Sequence, residues 1–270
     1  MFQQKAQILW NEAAGPAVFR LGLSCPSGFG RAKPGQFVML RISEGVEPLL
    51  RRPFSIHQPI TQGDRVVGIE LLYKVVGKGT RLLAGRTQGE TLDILGPLGS
   101  AFRRPPGAKT VFIVAGGIGV APMVYLAQYL IKDGIRAEDC RVFLGGRRRD
   151  ELLCMDDFAA AGLSVHTTTD DGSAGDQCLV THPVEIALVG RRPDIVFACG
   201  PLEMLSCVIG IIDAHNVACQ VSIESMMACG MGACLGCAVT ARDKRDQYYH
   251  ACLDGPVFDS DSIQLDSLTG

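Results

Sequence analysis

Residues 110–122 read T-V-F-I-V-A-G-G-I-G-V-A-P. Thr110 to Ala115 is a continuous apolar run of the kind that builds a strand buried on both faces. Gly116, Gly117 and Gly119 follow at once, and an apolar helical pattern runs from Val120 to Lys132. Strand, glycine turn and helix in that order open a doubly wound α/β sheet, and the glycines let a dinucleotide approach the backbone closely. The run departs from G-x-G-x-x-G, because Pro122 stands in place of the last glycine. A plain strand-to-helix turn is the other reading of it.

Toward the C-terminus the alternation continues. Arg141–Leu144, Leu163–Thr168, Ile195–Cys199 and Cys219–Ile223 read as strands, the last of them final. Asp150–Ala161, Pro183–Leu188 and Leu202–His215 read as the helices between them, giving a parallel sheet. Cys199-Gly200-Pro201 ends a strand on the carboxyl side, where such sheets bind ligands; a buried cysteine before a Gly-Pro turn is the alternative. Arg147 to Arg149 face either an extra phosphate on NADP or solvent, and the solvated reading is favoured. Thr169 to Ser173, T-D-D-G-S, reads as an Asp-Gly turn.

Toward the N-terminus the pattern changes ahead of Pro105-Pro106. Lys5–Trp10, Ala17–Leu23, Gln36–Ile42, Val66–Val76 and Thr91–Leu95 are short runs separated by Gly and Pro, the mark of a small antiparallel barrel. A short helix near Lys78–Ala84 plugs one end. Between two of the predicted strands lies R-R-P-F-S-I, 51–56. Arg52 suits bidentate grip of a pyrophosphate, Phe54 offers an aromatic face, and Ser55 has a hydroxyl for a flavin nitrogen. Gly77-Lys78-Gly79-Thr80 precedes the short helix, either as a phosphate site or as a turn capped by Thr80.

The last stretch is rich in cysteine. From Glu224 to Cys237 it reads E-S-M-M-A-C-G-M-G-A-C-L-G-C, and Cys252 follows after a polar stretch. Cys229, Cys234, Cys237 and Cys252 have the C-x4-C-x2-C…C spacing of plant-type [2Fe–2S] ligands. Two irons need four thiolates, and Gly230, Gly232 and Gly236 allow a tight wrap with free backbone N–H groups. A structural zinc site is the alternative, but such sites use two separate short pairs, whereas both steps here share Cys234. The other seven of the 11 cysteines, Cys25, Cys140, Cys154, Cys178, Cys199, Cys207 and Cys219, read mostly as small buried hydrophobes. The five histidines, His57, His166, His182, His215 and His250, lack metal-ligand spacing and read as structural.

With 270 residues, 47% of them hydrophobic, the chain builds cores, and disorder is excluded. A net charge of −2 calls for neither nucleic acid nor an anionic membrane as partner. Apolar stretches fall short of the roughly 20 residues of a membrane span. The first ten residues lack the order of a signal peptide, so a cytoplasmic location is expected. There, clustered thiols mean metal before disulfide. Three parts follow: a barrel over 1–101, an α/β domain over 102–223 and a cluster module over 224–270.

These pieces, in this order, resemble the ferredoxin–NADP reductase superfamily. Arg52-Pro53-Phe54-Ser55 is similar to its flavin motif R-x-Y-S, with Phe54 removing one phenolic hydroxyl. Gly79-Thr80 resembles its pyrophosphate turn, and Gly116 to Pro122 and Cys199-Gly200-Pro201 resemble its nicotinamide-side motifs. The cysteine block, A-C-L-D-G-P-V-F (251–258) and T-D-D-G-S narrow the resemblance to the electron-transfer subunits of class 1B dihydroorotate dehydrogenases. The resemblance implies FAD at Arg52, Pro53, Phe54, Ser55, Gly79 and Thr80, with Leu72, Tyr73 and Lys74 beside them. It implies NAD at Gly116, Gly117, Gly119, Pro122, Cys199, Gly200 and Pro201, and a [2Fe–2S] cluster on the four cysteines.

An oxidoreductase subunit is implied that exchanges electrons with the FMN of a separate catalytic subunit, in a heterotetramer of two plus two serving pyrimidine biosynthesis. The cofactor set is coherent in itself. Nicotinamides exchange electron pairs, clusters exchange single electrons, and a flavin between them does both. Two rivals stay open: a diaphorase-type subunit of a cytosolic hydrogenase or NADH-dependent ferredoxin:NADP reductase, and a zinc-stapled module without redox function.

Overall fold

The computed structural model describes residues 1–25, 28–242 and 246–265. The N-terminal part holds β1 (Phe2–Gly15), β2 (Val18–Ser24), β3 (Phe37–Arg41), β4 (Arg52–Gln62), β5 (Arg65–Lys74), helix α1 (Lys78–Ala84) and β6 (Thr91–Leu98). The six strands close an antiparallel barrel in the order β1-β2-β5-β4-β3-β6. Alternation along β5 explains its two faces. Ile69, Leu71 and Tyr73 fill the barrel, while Leu72 points out against the rest of the molecule. Leu83 of α1 is fully buried in the barrel core.

The segment 51–56 does not connect two strands, as its sequence suggested. Arg52 to Gln62 is itself a strand, disguised by Pro53 and Pro59. Arg52 to Ser55 pair with β3 alone, and from Ile56 onward the strand pairs with β5 alone. Each proline therefore sits where only one side needs ladder bonds. Ile56 opposite Leu71 is the last β4–β5 pair at this end; beyond it Leu72, Tyr73 and Lys74 pair only with β2. The two strands part there and leave a gap in the barrel wall.

The second part holds β7 (Val111–Gly116), α2 (Ala121–Lys132), β8 (Cys140–Gly146), α3 (Met155–Ala160), β9 (Val165–Thr169), α4 (Thr181–Gly190), β10 (Ile195–Cys199), α5 (Leu202–His215) and β11 (Ala218–Ser222). Then follow β12 (Ala238–Thr240), β13 (Tyr248–His250) and β14 (Val257–Asp259). The large sheet runs β14-β11-β10-β7-β8-β9. All its neighbours are parallel except β14, which pairs antiparallel with β11. The chain winds outward one way from β7 and the other way from β10, so the switch point lies between these two.

Two expectations change. The strand at Cys219–Ile223 is not final, because the chain returns from the cysteine-rich stretch as β14. The helix expected from Asp150 begins only at Met155. Arg149–Glu151 form a 3-10 turn, and Cys154 sits at φ 63, a left-handed conformation that no α-helix passes through. Cys237 and Cys252 share one hydrophobic core with Val184 of α4, Leu205 and Ile212 of α5 and Phe258 of β14. No helix among the described residues is long and apolar enough to cross a membrane.

Candidate functional site

The gap between β4 and β5 is the mouth of a cleft of about 300 Å³. Arg52, Pro53, Phe54, Ser55, Leu72, Tyr73, Lys74 and Thr80 line its barrel side; Gly119, Pro122 and Cys199 line the other. Gly79 borders it, since a β-carbon there would lie 3.4 Å from Arg52 Nε. One Arg52 Nη donates to the Leu50 carbonyl at 2.7 Å, which orients the guanidinium. Tyr73 is buried, stacks on Phe19, meets Phe54 edge-on, and donates its hydroxyl to Asn11 Oδ1 at 3.0 Å. The Thr80 hydroxyl accepts from the amides of Val76 and Gly77, so it shapes the turn into α1 from inside the helix rather than as its N-cap.

A second groove of about 540 Å³ runs over the carboxyl ends of the parallel strands. Gly116, Gly117, Gly119, Gly200 and Pro201 line it, together with Gly145 and Gly146 at the end of β8. This is the place where open α/β sheets bind ligands. A β-carbon on Gly119 would stand 2.5 Å from the Cys199 carbonyl oxygen. Only glycine lets the turn after β7 lie against the end of β10.

Of the three arginines at 147–149, Arg147 lines the groove. It is held by Glu151, with Nη2 3.1 Å from Oε1, and its backbone N–H donates to Oε2. Lys74 Nζ lies 3.4 Å from the same carboxylate. Burial pushes the Glu151 carboxyl up, but the bonds from Arg147 outweigh it and bring it to about 2. Arg148 instead pairs with Asp150, and the Arg149 amide donates to Ser173. The T-D-D-G-S stretch is a turn in which Asp171 accepts from the Ser173 amide, and Asp170 lines the groove.

Glu224, at the head of the cysteine block, lines both cavities, a role its sequence context does not signal. Burial pushes its carboxyl up. Its place, just past the end of β11, was invisible without the fold. Cys207, one of the seven scattered cysteines read mostly as buried hydrophobes, is exposed and faces the groove. Cys25, Cys140 and Cys219 are buried, as is Cys199 in the cleft wall, whereas Cys154 and Cys178 are half-buried.

Met227 also lines the cleft, and Cys229 follows two residues on. Cys237 and Cys252 are buried, with their Sγ atoms 3.3 Å apart; Cys229 is half-buried and Cys234 exposed. Backbone amides point at the sulfurs: Met231 and Cys234 donate to Cys229, and Gly232 donates to Cys252 at 3.2 Å. Desolvation opposes ionisation of Cys229, but those amides outweigh it and bring the thiol down to about 6. Burial, reinforced by Cys237, pushes Cys252 up to about 12. Gly230 has φ 72, and a β-carbon there would strike the Met39 side chain of β3, so the loop lies directly on the barrel. A close pair of buried sulfurs, with two further cysteines on the same loop and amides aimed at Cys229 and Cys252, suits a thiolate-bound metal cluster.

Comparison with known proteins agrees with this geometry. The iron–sulfur cluster binding domain of dihydroorotate dehydrogenase B matches residues 224–264, and the oxidoreductase NAD-binding domain matches residues 113–209. The chain is 37% identical over 257 residues to the dihydroorotate dehydrogenase B (NAD(+)) electron transfer subunit of Desulforamulus reducens, covering 94% of this chain and 95% of that one. It is 37% identical over 263 residues to the subunit of the same name from Caldanaerobacter subterraneus, covering 97% and 98%. Among solved structures, that of an NADH-dependent reduced ferredoxin-NADP oxidoreductase superposes with a TM-score of 0.82 at 30% identity, covering 97% of this chain and 91% of that one.

Proposed function

The chain belongs to the family of dihydroorotate dehydrogenase B electron transfer subunits, and from that membership we propose how its parts divide the work. It is an NAD-linked oxidoreductase subunit with FAD, an iron–sulfur cluster of the [2Fe–2S] type and NAD as its redox groups. It passes electrons between NAD and the FMN of a separate catalytic subunit in pyrimidine biosynthesis. Residues 1–101 hold FAD, 102–223 hold NAD and 224–270 hold the cluster, of which 243–245 and 266–270 lie outside the described residues. The assembly is a heterotetramer of two plus two, in the cytoplasm.

One observation carries this reading: the polypeptide from Ser222 to Met227 walls the cleft and runs straight into Cys229. A ligand in the cleft borders the dinucleotide groove on one side, through Gly119 and Glu224, and on the other the segment that leads into the cysteine loop. When bound, the flavin takes electron pairs from nicotinamide and gives single electrons to the cluster. The residues of the chain position these groups. Arg52, with Gly79 and Thr80, grips the flavin pyrophosphate. Pro53, Phe54, Ser55, Leu72, Tyr73 and Lys74 frame its ring and ribityl chain. Gly116, Gly117, Gly119, Pro122, Cys199, Gly200 and Pro201 seat the nicotinamide nucleotide, and Cys229, Cys234, Cys237 and Cys252 ligate the irons.

Around the cysteine loop Met226, Met231, Leu235 and Leu253 are exposed, Met226 by 87%. Such an apolar rim around a relay centre suits cover by the catalytic subunit. The test is to assay the purified chain alone and then with that subunit. Alone it should reduce artificial dyes with NADH and leave dihydroorotate and orotate untouched; with the partner, NAD-linked turnover should appear. Orotate reduction by the chain alone would refute the division of labour. No gain from the partner would favour a diaphorase role like that of the ferredoxin-NADP oxidoreductase it superposes on.

A further inference from the structure

Away from both cavities, a polar cluster is buried where the barrel meets the α/β part. His57, on β4, is fully buried. Its Nδ1 lies 2.6 Å from the carbonyl oxygen of Ala121, at the start of α2. A carbonyl only accepts, so Nδ1 carries the proton and Nε2 presents a lone pair. That nitrogen has no hydrogen-bond partner among the described residues. Cys154 and Asp157, on either side of the first turn of α3, lie beside the ring. One donor atom from each of the three residues lies within 4.8 Å of the others.

We infer that His57, Cys154 and Asp157 bind one zinc ion, a second metal centre separate from the cysteine loop, which pins the barrel to the α/β domain. Imidazole, thiolate and carboxylate together exclude the hard cations and suit zinc. The backbone acceptor on the far nitrogen is the support that zinc-bound histidines use to fix their tautomer. Zinc bonds of about 2.0–2.3 Å require the side chains to draw in. A water completes the tetrahedron, because Glu70 Oε1, 3.8 Å from His57 Nε2, already accepts from Arg20 and Gln58.

Arg20 is the resident cation. It pairs with Glu70 at 3.1 Å and with both oxygens of Asp157, and its Nη2 stands 3.8 Å from Cys154 Sγ. Two carboxylates thus face a single guanidinium, and one negative charge is uncompensated. A dication together with the thiolate it stabilises brings the sum to zero with Arg20 still in place, holding the outer lone pairs of the carboxylates. A surface cavity of about 440 Å³, lined by Arg20, Cys154 and Asp157, provides the path of entry.

The experiment uses the full chain loaded with FAD and iron. It is incubated with zinc sulfate, desalted, and measured for zinc and iron and for zinc X-ray absorption. The expected result is one zinc per chain at unchanged iron, with a single sulfur among N/O scatterers. Asp157→Asn and Cys154→Ser should each weaken zinc binding by about tenfold or more at full iron content. Absence of retained zinc in the iron-loaded wild type would overturn the inference, as would retention that neither variant alters. A shell of four sulfurs would place the zinc on the cysteine loop and overturn it too. The wild-type spectrum decides even if a variant does not fold. Failure of the iron–sulfur reading would appear separately, as a chain without iron whose zinc still has one sulfur neighbour.

Discussion

The Sγ atoms of Cys237 and Cys252 lie 3.3 Å apart inside the core that α4 and α5 pack against. Cys237 closes the glycine loop, and Cys252 arrives from beyond the β12–β13 hairpin. Burying two thiols so close without a bond between them makes sense once a metal replaces both protons. Replacing either by Ala is expected to remove most of the iron and to destabilise the fold, because metal binding and folding are coupled at such sites. Cys207→Ala, on the exposed face of α5, should keep the iron count of the wild type. Iron per chain and the EPR signal are the readouts; full iron in Cys252→Ala would remove it from the ligand set.

Arg52→Ala should loosen FAD. A hydrogen bond to a charged group contributes roughly 1.5–3 kcal/mol, which is about ten- to a hundred-fold in affinity. Flavin retained through serial dilution reports it. Retention equal to wild type would move the pyrophosphate elsewhere.

Gly119→Ala should press the turn after β7 away from β10, because its new carbon meets the Cys199 carbonyl oxygen. Overpacking of this kind costs about 1–3 kcal/mol. Both the melting temperature and the apparent affinity for NADH should fall, while iron content stays. An unchanged KM for NADH would show that the close approach serves packing alone.

Glu151 is mostly buried, 18% exposed, and its carboxyl is held near 2 in the folded chain, against an ordinary 4.5. A depressed acid stabilises the fold fully above its unfolded value and loses that contribution as pH falls toward the folded one. Wild type should therefore lose stability between about pH 5 and pH 2 in part through this group. Glu151→Gln should show a shallower loss. Urea midpoints measured at several pH values test it, and equal slopes in both proteins would refute it.

Much of the architecture was legible because its signals are local. Ile195–Cys199, Leu202–His215 and Lys78–Ala84 fall where runs, glycines and prolines placed them. The features that escaped are set by partners distant in sequence. Pro53 and Pro59 hid β4, since nothing local reveals that each half of that strand pairs on one side only. Val257–Asp259 is too short to announce a strand without β11 beside it. Glu224 carries no motif that marks a cavity wall, and His57 stands far along the chain from Cys154 and Asp157. Periodicity and spacing report neighbours along the chain, whereas these positions depend on how the barrel meets the sheet.

The return of β14 has a mechanical consequence. The cysteine-bearing stretch leaves the sheet at β11 and rejoins it at β14, where the Ile223 amide donates to Pro256 and the Ser260 amide to Cys219. At the same seam the Ser100 hydroxyl, from the end of the barrel, donates to the Val257 carbonyl. The stretch is therefore a span clamped at both feet, and swinging of its tip is checked by the sheet and the barrel together. It also seals the sheet, because β11 would otherwise be a raw edge able to pair with another chain. A protein cut after Ile223 would lose more than its redox tip: it should self-associate through the uncovered strand.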